Sequence, residues 1–218
     1  MDYPALERAA RRHAGAELIR HAVSELDRIA SGRRALQAVR HPLGFVCLPV
    51  LRDGDDGVCV HVFGTPEAEP DRFVPQVHCH SWDLTSTVLF GQLDNRRIDV
   101  DDDTGEPTHR VFEVLSDPSG VDELRPTGRL VRLRPGVEQT SARGQSYTLP
   151  AGEFHTSVVP DGRPTATLVL GRTLPGRPDL SLGPPSAPGH RMVRRTCDAT
   201  QTARIARAAL RRIHEPEP

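Results

Sequence analysis

Hydrophobic positions fall into two textures that change near residue 43. Up to there, Leu18/Ile19, Ala22/Val23, Leu26 and Ile29/Ala30 recur at the three-to-four spacing of one helical stripe, with Arg20, Glu25, Asp27 and Arg28 between them. The stripe runs from Leu6 and breaks at Ser31-Gly32, and a short second helix is expected up to Val39, ahead of His41-Pro42. Residues 1–42 therefore read as a helical preface.

From Leu43 the pattern becomes short β-branched runs: GFVCLPVL, GVCVHVFG, TSTVLFGQL, RRIDV, RVFEVL, RLVRLR, SYTLP, HTSVV and ATLVLG. Asp53-Gly54, Asp94-Asn95, Thr104-Gly105, Pro135-Gly136 and Asp161-Gly162 are the expected turns between them. Runs of this length and spacing predict an antiparallel sandwich or closed barrel over residues 43–172. DVDDDTGEP and SDPSGVDELRPTG read as loops, the acidic run from Asp99 to Asp103 being a solvated hairpin tip rather than a calcium loop.

Residues 173–218 form the third section. TLPGRPDLSLGPPSAPGH is so rich in proline and glycine that it predicts an extended strap without regular structure. A helix then follows, capped reciprocally by Asp198 and Gln201, with Ile205, Ala209 and Ile213 laid against the barrel.

Composition narrows the function classes. The formal charge is -1 and the basic residues are spread along the chain, which leaves no footprint for nucleic acid or an anionic membrane. All 28 basic residues are arginine, so Schiff-base chemistry, Ser-Lys dyads and a phosphate-binding lysine are excluded. The start has no signal-peptide core and no run of about 18 apolar residues occurs, so a cytoplasmic protein is expected. Cys47, Cys59, Cys79 and Cys197 lack CxxC spacing, so neither a disulfide framework nor a cysteine zinc site is expected, and the reduced thiols are expected to pack mostly like small hydrophobes.

The chemistry gathers in two stretches. In HCHSWDLTSTVLFG, His78 and His80 stand two apart, so both project to one face of a strand and make a chelating pair. Such a pair also occurs in strands that bind nothing. Some seventy residues on, Pro150-Ala-Gly-Glu-Phe-His155 is a turn that delivers a third histidine at the start of HTSVV.

Together these stretches resemble the cupin superfamily. Its first motif is HxH, then a glutamate, then a glycine, matched by His78, His80 and Gly91; its second, PxGxxH, is matched by Pro150, Gly152 and His155. The resemblance covers residues 43–172 and implies a mainly β protein, a small cupin-type barrel or jelly roll with helices at both ends of the chain. It further implies a divalent metal held by His78, His80 and His155, with Fe(II) foremost and Zn, Ni and Cu left open, since neutral imidazoles suit all four.

One position departs from the family. The glutamate, counted back from Gly91, falls on Leu84, which cannot ligate; the adjacent Asp83 lies on the opposite face of a regular strand and joins the site only if a bulge re-aims it. A three-histidine site is similar to that of the cysteine dioxygenase branch, the non-heme iron thiol dioxygenases, although the serine-histidine-tyrosine series of that branch is replaced here by Glu153, His155 and Ser157. The resemblance thus implies an oxygenase acting on a small organic molecule with O2. A metal-dependent isomerase or lyase, or a non-catalytic ligand-binding cupin, stands beside it, and a homodimer is compatible with the apolar helix stripe.

With lysine absent, a counter-charge for an anionic substrate must come from arginine, and Arg97 and Arg172 are the expected candidates. Tyr147 and His61 line the cavity if their strands face inward. Ser86 and Ser157 share strand parity with the ligands, Trp82 is expected at the barrel mouth, and Cys79 is expected to face away from the metal.

Overall fold

The computed structural model describes residues 2–102, 105–117 and 119–216, with the side chain of Asp161 left aside. Two helices open the chain, α1 (Tyr3–Arg11) and α2 (Gly15–Ala30), and α3 (Ala199–His214) closes it. The apolar stripe is thus carried by two helices instead of one: the chain turns at His13, whose backbone is left-handed at φ 53°. No second helix leads to Val39, which begins a strand.

Fourteen strands are formed among the described residues: β1 (Val39–His41), β2 (Phe45–Asp53), β3 (Asp56–Phe63), β4 (His78–Cys79), β5 (Trp82–Phe90), β6 (Gln92–Asp101), β7 (His109–Ser116), β8 (Val121–Ala142), β9 (Ser146–Leu149), β10 (His155–Val158), β11 (Thr165–Thr173), β12 (Asp179–Gly183), β13 (His190–Val193) and β14 (Arg195–Thr196). They make two antiparallel sheets: sheet A in the order β14-β1-β2-β3-β11-β5-β9, and sheet B in the order β13-β8-β6-β10-β4-β12-β7. The long β8 pairs with β7 through its first half and with β6 through its second, so sheet B curls back on itself. The expected mainly β fold with helices at both ends is the one formed.

The helices cover one face of sheet A. Leu6, Leu18, Leu26, Ile205 and Ile213 pack on Val46, Leu48, Val50, Val58, Val60, Val62, Leu168 and Leu170 in one continuous core. The capping box on α3 is complete, with the Gln201 amide donating to Asp198 Oδ1 at 2.7 Å and the Asp198 amide to Gln201 Oε1 at 3.0 Å. Alternation along the strands sends the other residues of β2, β3, β5 and β11 to the opposite face. That face, with sheet B, encloses the cavity.

Several expected turns and loops are strand. Asp94-Asn95 lies within β6, and VDELRPTG is the first half of β8. Pro126 and the Pro135-Gly136 pair are tolerated there because the register slips beside each, between Arg110/Phe112 and between Arg96/Ile98, where no regular ladder bond is required. The Thr104 half of the Thr104-Gly105 turn and the Asp103 end of the acidic run lie outside the described residues. Asp53-Gly54 and Asp161-Gly162 do mark turns, with positive φ at both glycines.

The strap also contains structure. Asp179–Gly183 is inserted between β4 and β7, with Ser181 opposite His78, and β13 and β14 extend the two sheets. Strands therefore continue past Arg172, beyond the expected end of the β region.

Candidate metal centre

The HxH stretch and the PxGxxH stretch meet on sheet B. His155 on β10 is the direct register partner of His78 on β4, and His80 follows two residues after His78, just past the end of that short strand. The turn between β9 and β10 locks the two motifs together: the Gly152 amide donates to the His80 carbonyl at 2.8 Å, and the Ala151 amide to Asp83 Oδ1 at 2.9 Å. Gly152 takes φ 82°, a left-handed conformation that a side chain disfavours.

One potential ligand atom from each of His78, His80 and His155 lies within 4.8 Å of the others. The ring centroids are 4.9 Å apart for His78 and His80, 4.4 Å for His78 and His155, and 5.2 Å for His80 and His155. Two tautomers are fixed by the backbone: His78 Nδ1 sits 2.9 Å from the Gln76 carbonyl and His155 Nδ1 3.0 Å from the Glu153 carbonyl. A carbonyl only accepts, so each Nδ1 carries the proton and each Nε2 keeps its lone pair. This is the arrangement found behind imidazoles that ligate metals, and the three residues fit a divalent cation on that ground.

Burial reinforces the neutral form. His155 is pushed down to about 3, chiefly by burial and then by His78, while His78 and His80 are held below the ordinary imidazole range for the same reason.

The cavity in front of these rings measures 710 Å³. Leu84, Leu93, Tyr147, Leu149 and Val169 form its apolar side. Trp82 lies at 4.5 Å from the His80 ring and contributes to the wall, with its six-membered ring against Gly171, where any Cβ would come within 2.4 Å of Trp82 Cε3. Tyr147, buried and raised to about 12 by burial, neighbours Ser86 and Asn95, and Ser157 donates to Asn95 Oδ1 at 2.8 Å. His61 is also in the wall, stacked 4.4 Å from Phe45. Cys79 faces away, into a separate cluster with Val111, Val131, Phe154 and Leu182.

Neither of the two expected arginines lines the cavity, although Arg97 stands beside His155. Arg97 is the register partner of His155, but its Nε pairs with Glu153 Oε1 at 2.7 Å. Arg172 lies on the helix-facing side of β11, paired with Asp56 at 2.8 Å and Glu7 at 3.5 Å, its guanidinium 5.2 Å from the Tyr3 ring centroid. The physical reason is parity: Gly171 belongs to the cavity wall, so its neighbour points the other way. Arg52 and Arg194 are the arginines that line the cavity, and Arg194 is paired with Asp122 at 3.1 Å.

Asp83 is exposed and holds the Ala151 amide; among the described residues it does not belong to the histidine group. Leu84 is buried in the cavity wall.

Sequence reasoning passed over His41, which it used only as a helix breaker. The ring stacks on Phe45 at 4.1 Å and borders the cavity, and the Leu43 amide donates to its Nδ1 at 3.3 Å, so its tautomer is the reverse of that of His78 and His155. It also missed the juxtaposition of Cys47, Cys59 and His61, whose ligand atoms lie within 4.8 Å of one another. Arg52 Nη2 donates to Cys59 Sγ at 3.3 Å. The Cys59 thiol is held well below its ordinary range by hydrogen bonding with Cys47, then His61, with Arg52 adding to it. The Asp53-Gly54 turn joins β2 to β3, but the register slip between Pro49 and Leu51 that brings Cys47 opposite His61 has no sequence signal.

No family model matches the chain, and no curated protein matches it. Solved structures share part of its shape. A conserved protein of unknown function from Streptococcus pyogenes is 14% identical, with a TM-score of 0.33 over 62% of this chain and 78% of its own. A hydroquinone 1,2-dioxygenase from a Sphingomonas species, solved with 4-hydroxybenzoate bound, is 12% identical with a TM-score of 0.35 over 57% and 63%. The hydroxypropylphosphonic acid epoxidase of S. wedmorenis is 13% identical with a TM-score of 0.34 over 63% and 55%. This chain spans less than two thirds of those two enzymes. Likenesses of this size leave the chemistry of the chain to its own residues. No helix among the described residues is long and apolar enough to cross a membrane.

Proposed function

We propose that the chain is a metal-dependent, cupin-type oxygenase in which His78, His80 and His155 hold a divalent metal, Fe(II) foremost, beside a cavity for a small organic substrate and O2. The observation that carries this reading is the pair of Nδ1-to-carbonyl contacts at His78 and His155, which leave both Nε2 lone pairs free for a metal in a group whose ligand atoms, with one from His80, lie within 4.8 Å of one another. When bound, a ferrous ion would supply a Lewis-acidic and redox-active centre with coordination positions left over for substrate and oxygen.

The protein's own contributions follow from the wall. Leu84 replaces a carboxylate with a hydrocarbon, so the ligand set is neutral and the full charge of the cation is left to attract an anionic or chelating substrate. Leu93, Leu149 and Val169 exclude water from the side of the cavity where the substrate body would lie. Tyr147, with its hydroxyl kept protonated by burial, is the donor available to orient a substrate oxygen or sulfur. Trp82 holds the His80 ring from outside.

Protein loaded anaerobically with Fe(II) is expected to consume oxygen only when a substrate is present, and His155→Ala is expected to abolish that uptake. Iron-loaded protein that consumes no oxygen across a panel of thiols and chelating acids would overturn the proposal.

A further inference from the structure

The opposite wall of the cavity carries a second cluster that the proposed oxygenase site does not use. On sheet A, Cys47 of β2 is the register partner of His61 of β3, and Cys59 stands two residues before His61 on the same face. All three border the cavity, and one ligand atom from each falls within 4.8 Å of the other two. A tetrahedral ion with thiolates at about 2.3 Å and imidazole at about 2.0–2.1 Å needs ligand separations of about 3.5–3.8 Å. Side-chain rotation of roughly an ångström therefore closes the set without moving either strand.

Two neighbours prepare the group. Phe45 stacks against the His61 ring at 4.4 Å and 30°, fixing its plane. Arg52 donates to Cys59 Sγ at 3.3 Å, a contact that favours the thiolate a metal requires, and that inert packed cysteines do not need. We infer that Cys47, Cys59 and His61 form a binding site for a thiophilic divalent cation of the zinc class, separate from the three histidines of sheet B. Two sulfur donors select such an ion over the harder cations that an all-imidazole or carboxylate set would take. The site shares no residue with His78, His80 and His155, so either assignment can fail alone.

The test uses the full chain, reduced, with zinc alone as the probe. With the chain saturated with Zn(II), so that both groups are filled, X-ray absorption should show sulfur neighbours of zinc at about 2.3 Å, two per cysteine-bound ion. Cys79 and Cys197 lie in separate clusters, so two sulfurs on one ion can come only from Cys47 and Cys59 within a chain. Co(II) in place of zinc should give the near-ultraviolet thiolate-to-metal absorption that imidazoles alone cannot give. This band should persist in His155→Ala and weaken at least 100-fold in apparent affinity in the double variant Cys47→Ser, Cys59→Ser. A zinc-saturated chain whose zinc is surrounded only by nitrogen and oxygen overturns the inference, as does a thiolate-to-cobalt band undiminished in the double variant. The zinc spectrum is decisive even if the serine variant does not fold.

Discussion

On β2, Val46, Leu48 and Val50 pack beneath the helices while Phe45, Cys47 and Pro49 look into the cavity; on β3 the same alternation divides Val58, Val60 and Val62 from Cys59, His61 and Phe63. Both faces come from the same strands, one residue out of phase. The outer face of these strands is aliphatic and close-packed beneath the helices, whereas the inner face mixes aromatic rings, thiols and imidazoles around open space. Cohesion and chemistry are thereby separated by a single step of the backbone. Substitutions of the buried outer-face aliphatics should cost stability and leave the sites intact, whereas those on the inner face should be felt at the rings around the cavity.

The largest effect expected on the outer face is from Leu168→Ala, a fully buried residue, which should lower unfolding free energy by about 2–5 kcal/mol in denaturant melts. Metal affinity at the histidine group should be unchanged while the variant remains folded. A folded variant with weakened metal binding would show that the two faces are not independent.

Gly171→Ala adds a methyl to the inner face where Trp82 leaves no room, and overpacking of this kind costs about 1–3 kcal/mol. Because Trp82 is the only tryptophan, its fluorescence should report displacement from the His80 ring. An unshifted emission spectrum would mean that the contact does not hold Trp82 in place.

The inner face also predicts a pH dependence. His41 is pushed down to about 3, chiefly by burial and then by His61 and His78, so the unfolded chain binds a proton there that the folded chain refuses. Its contribution is intact above about pH 6.5 and is lost as the pH falls toward 3, at up to about 1.4 kcal/mol per pH unit. Protonation would also oppose the hydrogen bond that His41 Nδ1 accepts from Leu43. His41→Phe, which can keep the stack on Phe45, should flatten the acid limb of the stability profile; an unchanged limb would move the acid sensitivity to other groups.

The smallest effect is expected at Arg172. Its ion pairs with Asp56 and Glu7 are on the surface, on the helix side of the sheet, so Arg172→Ala should leave both thermal stability and metal affinity within error. A marked loss of metal affinity would restore it as a site residue.

The sequence made some of this plain and hid the rest, and particular residues show why. His78, His80 and His155 are legible because HxH and PxGxxH are local patterns, one built on strand alternation and the other on a proline-glycine turn. The side on which Arg172 falls is not legible, since ATLVLG is apolar on both faces and gives no parity. β12 was hidden by the prolines and glycines around DLSLG, and the first half of β8 by Pro126, which a bulge accommodates. Cys47 meets His61 only through the pairing of β2 with β3, and the chain states strand identity more clearly than register.

The central claim is that three imidazoles of sheet B hold one divalent metal, and it is tested most directly in the background Cys47→Ser, Cys59→Ser, where sheet A can contribute no thiolate. Competition against a chromophoric chelator should give one tightly bound divalent metal per chain, weakened at least 100-fold by adding His155→Ala, with the circular dichroism spectrum retained. Equal affinity with and without His155 would contradict the account.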